Sequence, residues 1–101
     1  MGEFGRTPRL NQGQPGISVP GRDHWGEAFS VMLAGGGLRT GQVVGATNDK
    51  GERPIERPLT PADVLATVYH ILGIDPRQTF LDNSGRPIPI LDSGAPIREI
   101  I

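Results

Sequence analysis

Fifteen glycines and ten prolines are spread through 101 residues, and this punctuation limits what the chain can fold into more than any other feature. Proline locks φ and removes a backbone donor, while glycine weakens the interior of helices and strands. Elements must therefore be short and joined by turns. Only one stretch carries a clean helical pattern. Thr60 is a good N-cap, Pro61 suits the first helical position, and Asp63 lies at the positive end of the helix dipole. Val64, Leu65, Val68, Ile71 and Leu72 recur at helical spacing as one apolar face, with Asp63, Ala66, Thr67 and His70 on the polar side. Gly73 supplies the stop. The spacing predicts a helix over 61–72, or 60–73 with its caps.

Residues 1–28 show no helical or strand periodicity and read as a long irregular loop, of the kind that is usually functional. Phe29 to Ala34 is a nearly continuous apolar run, which predicts a strand buried on both faces. Gly35, Gly36 and Gly37 end it as a turn, and Gln42 to Gly45 reads as a second short strand, making 29–45 a strand or hairpin. Thr47 to Pro58 is polar and turn-rich. Asp82 to Gly85 is a turn signal. Arg86 to Leu91 reads as an extended edge segment, because its prolines cannot donate to a ladder, and 85–101 as an extended tail. The order of elements fits the trailing part of an α/β sheet layer.

Charge and cysteine content narrow the function classes. The formal net charge is −1 with acids and bases interspersed, so no basic stripe points to nucleic acid. There is no cysteine, which removes disulfides, thiolate nucleophiles and Cys-ligated zinc. No apolar run approaches the roughly 20 residues of a membrane span, and no signal-peptide core follows Met1. The five aromatic residues are Phe4, Trp25, Phe29, Tyr69 and Phe80, little apolar bulk for an independent core. They suit a segment that packs against further polypeptide.

Chemistry-bearing residues concentrate in the first loop. Asp23 and His24 place a carboxylate beside an imidazole, both ordinary ligands for zinc or manganese, although a catalytic site typically needs three protein ligands. Glu3 would sit at a sheet edge if a strand preceded it, where open α/β sheets place ligand sites. Arg6, Arg9 and Arg22 offer planar donors to an anionic oxygen. Each of these also reads as an ordinary solvated loop residue. His70 lacks a metal-ligand partner on its helix, and the triple glycine lacks the Lys-Ser/Thr of a phosphate loop. No GxSxG marks a nucleophile elbow.

The ordered set Gly2-Glu3-Phe4-Gly5-Arg6-Thr7-Pro8-Arg9, Gly21-Arg22-Asp23-His24-Trp25, Phe29 to Gly37, Thr60-Pro61-Ala62-Asp63, Tyr69-His70, Leu72 to Asp75 and Gly85 to Pro89 resembles the C-terminal end of the bacterial "domain of unknown function 1501" proteins. Those proteins look like distant members of the alkaline phosphatase and sulfatase superfamily. The resemblance implies an α/β fold, the C-terminal fragment of an alkaline-phosphatase-like sandwich, in which 1–101 is part of a larger domain. It also implies a divalent metal (zinc, calcium or manganese) in the full-length domain, none bound tightly by this chain alone, and a periplasmic or secreted location for the full-length family. The partner would be the N-terminal part of the same domain, carrying the nucleophile and early metal ligands. Aligned on the superfamily, Glu3-Phe4-Gly5 takes the place of a late Asp-His-Gly motif and His24 that of a later histidine, with Asp23 beside it. Phe4 cannot ligate a metal, so one superfamily ligand is lost.

Two functions are thus expected as alternatives. One is a sulfatase- or phosphatase-like fragment, inactive alone, in which His24, Asp23 and Glu3 line a metal site and Arg6 and Arg22 an anion site. The other is a small non-catalytic binding or assembly module that pairs with a partner chain.

Overall fold

The computed structural model describes residues 1–101 and divides into two compact units, Met1–Leu33 with Val44–Pro58, and Ala34–Val43 with Leu59–Ile101. Each is built from short pieces, as the glycine and proline content requires. The expected mixture of a few short strands and a single helix is present, and every strand pair is antiparallel.

The first unit contains two small ladders. β1 (Gly5–Arg6) pairs with β2 (His24–Trp25), Gly5 opposite Trp25 and Arg6 opposite His24. β3 (Ala46–Thr47) pairs with β4 (Pro54–Glu56), with an irregular register between Ala46 and Thr47. Pro54 occupies the first position of its strand, where a missing donor is tolerated. The β3–β4 connection is closed by Asn48, whose Oδ1 accepts from Glu52 N at 2.8 Å while its Nδ2 donates to Glu52 Oε2 at 3.0 Å. Trp25 Nε1 donates to Glu52 O at 2.7 Å and ties one hairpin to the other. Gly5 is obligatory: a Cβ there would run into the carbonyl of Ala28.

The segment 29–45, expected as a strand or hairpin, enters no ladder. Phe29, Val31 and Leu33 are half-buried while Ser30, Met32 and Ala34 are exposed, so the run alternates with the period of a strand but covers one side only. An apolar run encodes an extended backbone; the ladder needs a second segment, and none of this chain pairs with it. Gln42 to Gly45, expected as a second strand, is not one: β3 begins only beyond it, at Ala46, and Val43 is 92% exposed. The opening segment 1–28 is more ordered than its sequence implies, since it holds both β1 and β2 and a bridge between Gln14 and Ile17.

In the second unit, α1 (Pro61–Ile71) begins with a full capping box: Thr60 Oγ1 accepts from Asp63 N at 3.3 Å and Asp63 Oδ2 accepts from Thr60 N at 2.7 Å. The helix stops one residue before the expected end, with Leu72 as C-cap. The buried face differs from the periodic one. Leu65 and Leu72 are exposed, whereas Val64, Ala66 and Thr67 are buried together with Ile97. The cause is the tail that covers the helix. Thr67, 0% exposed, donates from Oγ1 to Asp63 O at 2.7 Å and accepts from Ile97 N at 2.9 Å, so its hydroxyl is fully satisfied at the centre of the core. Gly94, at φ +88°, lets the tail pass against the backbone of Ala62, where a Cβ would lie 2.5 Å from the carbonyl carbon and oxygen.

β5 (Thr79–Leu81) and β6 (Pro87–Pro89) form a hairpin around the turn at Asp82 to Gly85, with Phe80 opposite Ile88. The turn and the extended second arm are as the sequence indicates; the Thr-Phe-Leu arm carried no signal apart from its composition. Asp82 Oδ1 accepts from Ser84 N at 2.8 Å and Arg86 N at 2.9 Å, and these donors, Arg86 N foremost, hold the carboxyl below its usual range. The glycine triplet is a turn, as expected, with all three residues at positive φ and Leu38 N bonded to Gly35 O at 3.0 Å.

Candidate functional site

The β1–β2 ladder holds most of the candidate residues, and side chains along a strand point alternately to its two sides. That alternation decides which of them can act together. His24 stands opposite Arg6 across the ladder. Phe4 joins them, its ring centroid 4.1 Å from that of His24 at an interplanar angle of 36°. The Arg6 guanidinium carbon lies 5.9 Å from the Phe4 ring centroid, within reach of a cation–π attraction. Arg22, two residues before His24, lies just outside β2 and meets Arg6 and Thr7 across the pair of segments.

The two arginines are tethered reciprocally. Arg6 Nη1 donates to Arg22 O at 3.4 Å, and Arg22 Nη1 donates to Thr7 O at 3.3 Å. Each guanidinium uses one terminal nitrogen on a main-chain carbonyl, and neither forms an ion pair with a carboxylate. Most of the donor capacity of each fork is left for another acceptor.

Asp23 faces elsewhere. Its backbone extends the ladder, with Thr7 N donating to Asp23 O at 3.0 Å and Asp23 N donating to Thr7 Oγ1 at 3.1 Å. Its carboxylate Oδ1 accepts from Asn11 Nδ2 at 3.1 Å and Gln14 Nε2 at 3.4 Å. Asn11 is itself fixed, because its Oδ1 accepts from both Gly13 N and Gly21 N at 3.0 Å. Thr7, Asn11 and Gln14 were not singled out by sequence; the only signal for Asn11 was an amide among glycines, a common turn residue. Glu3 is exposed in the bend before β1 and makes no hydrogen bond within the chain.

Asp23, His24 and Glu3 are therefore not gathered into one ligand set, and no three His, Asp or Glu side chains of this chain are placed to hold a metal ion. Neighbours in a strand diverge, so the adjacent carboxylate and imidazole that look like a ligand pair in the sequence serve different sides. These residues do not by themselves fit a catalytic metal centre, which takes three protein ligands. What the structure does bring together is Arg6 with His24 and Phe4, and Arg22 with Arg6 through main-chain bonds, a cationic and aromatic group suited to an anionic oxygen.

His70 is exposed near the end of α1. It borders a cavity of about 240 Å³ with Gly36, Gly37, Leu38, Ile71 and Ile101, smaller than the roughly 300–1,000 Å³ usual for ligand pockets. No helix is long and apolar enough to cross a membrane.

The sequence matches, over residues 1–101, the family described as "Protein of unknown function (DUF1501)". No curated protein and no solved structure matches it.

Proposed function

The chain belongs to the DUF1501 family, and on that premise we propose that its β1–β2 hairpin is an oxyanion-recognising wall of a sulfatase- or phosphatase-like domain, inactive in the absence of further polypeptide. The observation that carries this reading is the pair Arg6 and Arg22, each oriented by a main-chain carbonyl and neither neutralised by a carboxylate. Arginine forks of this kind recognise tetrahedral oxyanions through paired donors, and pre-orientation lowers the entropy lost on binding. His24 adds a third nitrogen-bearing group opposite Arg6. Glu3 and Asp23 border this wall, and any divalent ion held near it would draw its remaining ligands from outside these residues.

Titration with inorganic phosphate and with sulfate, followed by side-chain NMR of the arginines, tests the reading. Binding should weaken at least tenfold in Arg6→Gln plus Arg22→Gln. Unchanged affinity in the double variant would refute the wall, and metal-dependent hydrolysis of aryl sulfate or phosphate esters by this chain alone would refute its inactivity.

A second reading, a non-catalytic assembly module, is favoured by one specific observation. Met32, Val43, Leu72, Phe80 and Leu81 are all more than half exposed, an unusual amount of large apolar side chain for a chain that fully buries so little. A discrete, stable oligomer in size-exclusion chromatography with light scattering would support this reading; a monomer with a well-defined anion site would count against it.

A further inference from the structure

The helix and the C-terminal segment meet at one residue, Asp63, and the consequences of that meeting reach beyond local packing. Asp63 Oδ2 accepts from Thr60 N at 2.7 Å and from Thr60 Oγ1 at 2.8 Å, which caps α1. Its other oxygen, Oδ1, accepts from Ala95 N at 2.9 Å. Its main-chain carbonyl accepts from Thr67 Oγ1 at 2.7 Å, and that hydroxyl in turn accepts from Ile97 N at 2.9 Å. Both hydrogen bonds that hold the segment to the helix thus run through Asp63, one directly and one by way of Thr67. Just before them in sequence, Gly94 lies against the backbone of Ala62.

The apolar contacts agree. The buried hydrophobic residues are Val64, Ala66 and Ile97, so the segment supplies one member of the core and the helix the other two. The far end is anchored separately, where Arg39 N donates to Ile100 O at 2.8 Å and Gln42 Nε2 donates to Glu99 O at 2.7 Å. No anchor of residues 94–97 on the helix is a strand ladder; they are side-chain-to-backbone bonds plus one buried isoleucine.

We propose that residues 94–97 form a strap which closes and opens together with the first turns of α1, as one unit coupled through Asp63. A carboxylate oriented by the cap is pre-positioned for Ala95 N, and a strap in place orders the carboxylate that makes the cap. Loss of either weakens the other. Opening frees the Thr67 hydroxyl from Ile97 N and withdraws Ile97 from the small core it forms with Val64, Ala66 and Thr67.

Native-state amide exchange on the whole chain tests the coupling. Thr60→Ala removes the cap side chain, which bonds Asp63 and no strap residue. A typical cap loss corresponds to roughly fivefold in the opening equilibrium. The expected result is a similar factor of faster exchange at the first-turn amides of α1 and, more than thirty positions away in sequence, at Ala95 and Ile97. Thr60→Ser should restore all of them. Faster exchange confined to the helix, with Ala95 and Ile97 at wild-type protection, overturns the proposal, as does an unchanged rate at every one of these amides. If Thr60→Ala leaves no protection anywhere, the milder cap variant Thr60→Gly, which also leaves Asp63 in place, is scored by the same comparison.

Discussion

The two compact units reach order by different routes. In the unit of Met1–Leu33 with Val44–Pro58, no hydrophobic side chain is fully buried, and the loops are held by polar side chains bonded to the main chain: Thr7, Asn11, Asn48 and Trp25. In the unit of Ala34–Val43 with Leu59–Ile101, a helix and its strap close on Val64, Ala66, Thr67 and Ile97. The difference shows what a glycine- and proline-rich chain can do. Where periodicity allows one helix, a small core forms around it; where it does not, side-chain amides and hydroxyls replace the missing ladder bonds.

The sharpest break of this comparison is Thr67→Val, which keeps the shape but removes the acceptor for Ile97 N. Leaving a buried amide unsatisfied costs roughly 1–3 kcal/mol. A lower denaturation midpoint in the signals of α1 should show it, and wild-type stability would mean that the core does not depend on this hydroxyl. Asn11→Ala, in the other unit, removes the acceptor shared by Gly13 N and Gly21 N and the donor to Asp23. Water can replace partly exposed bonds, so the expected cost is smaller, about 1 kcal/mol. Amide exchange at Gly13 and Gly21 should quicken, and unaltered exchange would show that the loop is ordered by something other than its amide network.

The smallest effect is expected from acid. Hydrogen bonds from Arg86 N and Ser84 N hold Asp82 below the ordinary value of 3.8. A depressed carboxyl contributes above its unfolded value and loses that contribution as pH falls through its folded one. The β5–β6 turn should therefore stay closed at every pH above 3.8 and loosen only below it. Asp75, lowered chiefly by its side-chain hydrogen bond to Arg77, obeys the same sign. Asp75 is exposed and Asp82 half-buried, so the shift of the Ser84 and Arg86 amide resonances is the suitable readout, and a transition above 3.8 would contradict it.

Local features could be read from the residues because their causes are local. The capping box of Thr60 and Asp63, the end of the helix near Gly73, the glycine-triplet turn and the Asp82–Gly85 turn each involve groups a few positions apart. The candidate site was readable as a set of names but not as a set of neighbours. Asp23 and His24 are adjacent in sequence, and adjacency in a strand separates side chains; Arg6, His24 and Phe4 are scattered in sequence, and pairing of β1 with β2 gathers them.

By itself, then, the sequence determined where the main turns fall and where the backbone coils into a helix, since glycine, proline and capping residues act through torsion angles and short-range hydrogen bonds. Tertiary structure alone decided which face of α1 is buried, whether Phe29 to Ala34 finds a partner, and which charged residues share a side of the first ladder. Those outcomes depend on what lies across a gap in space, and periodicity along a chain carries no record of that.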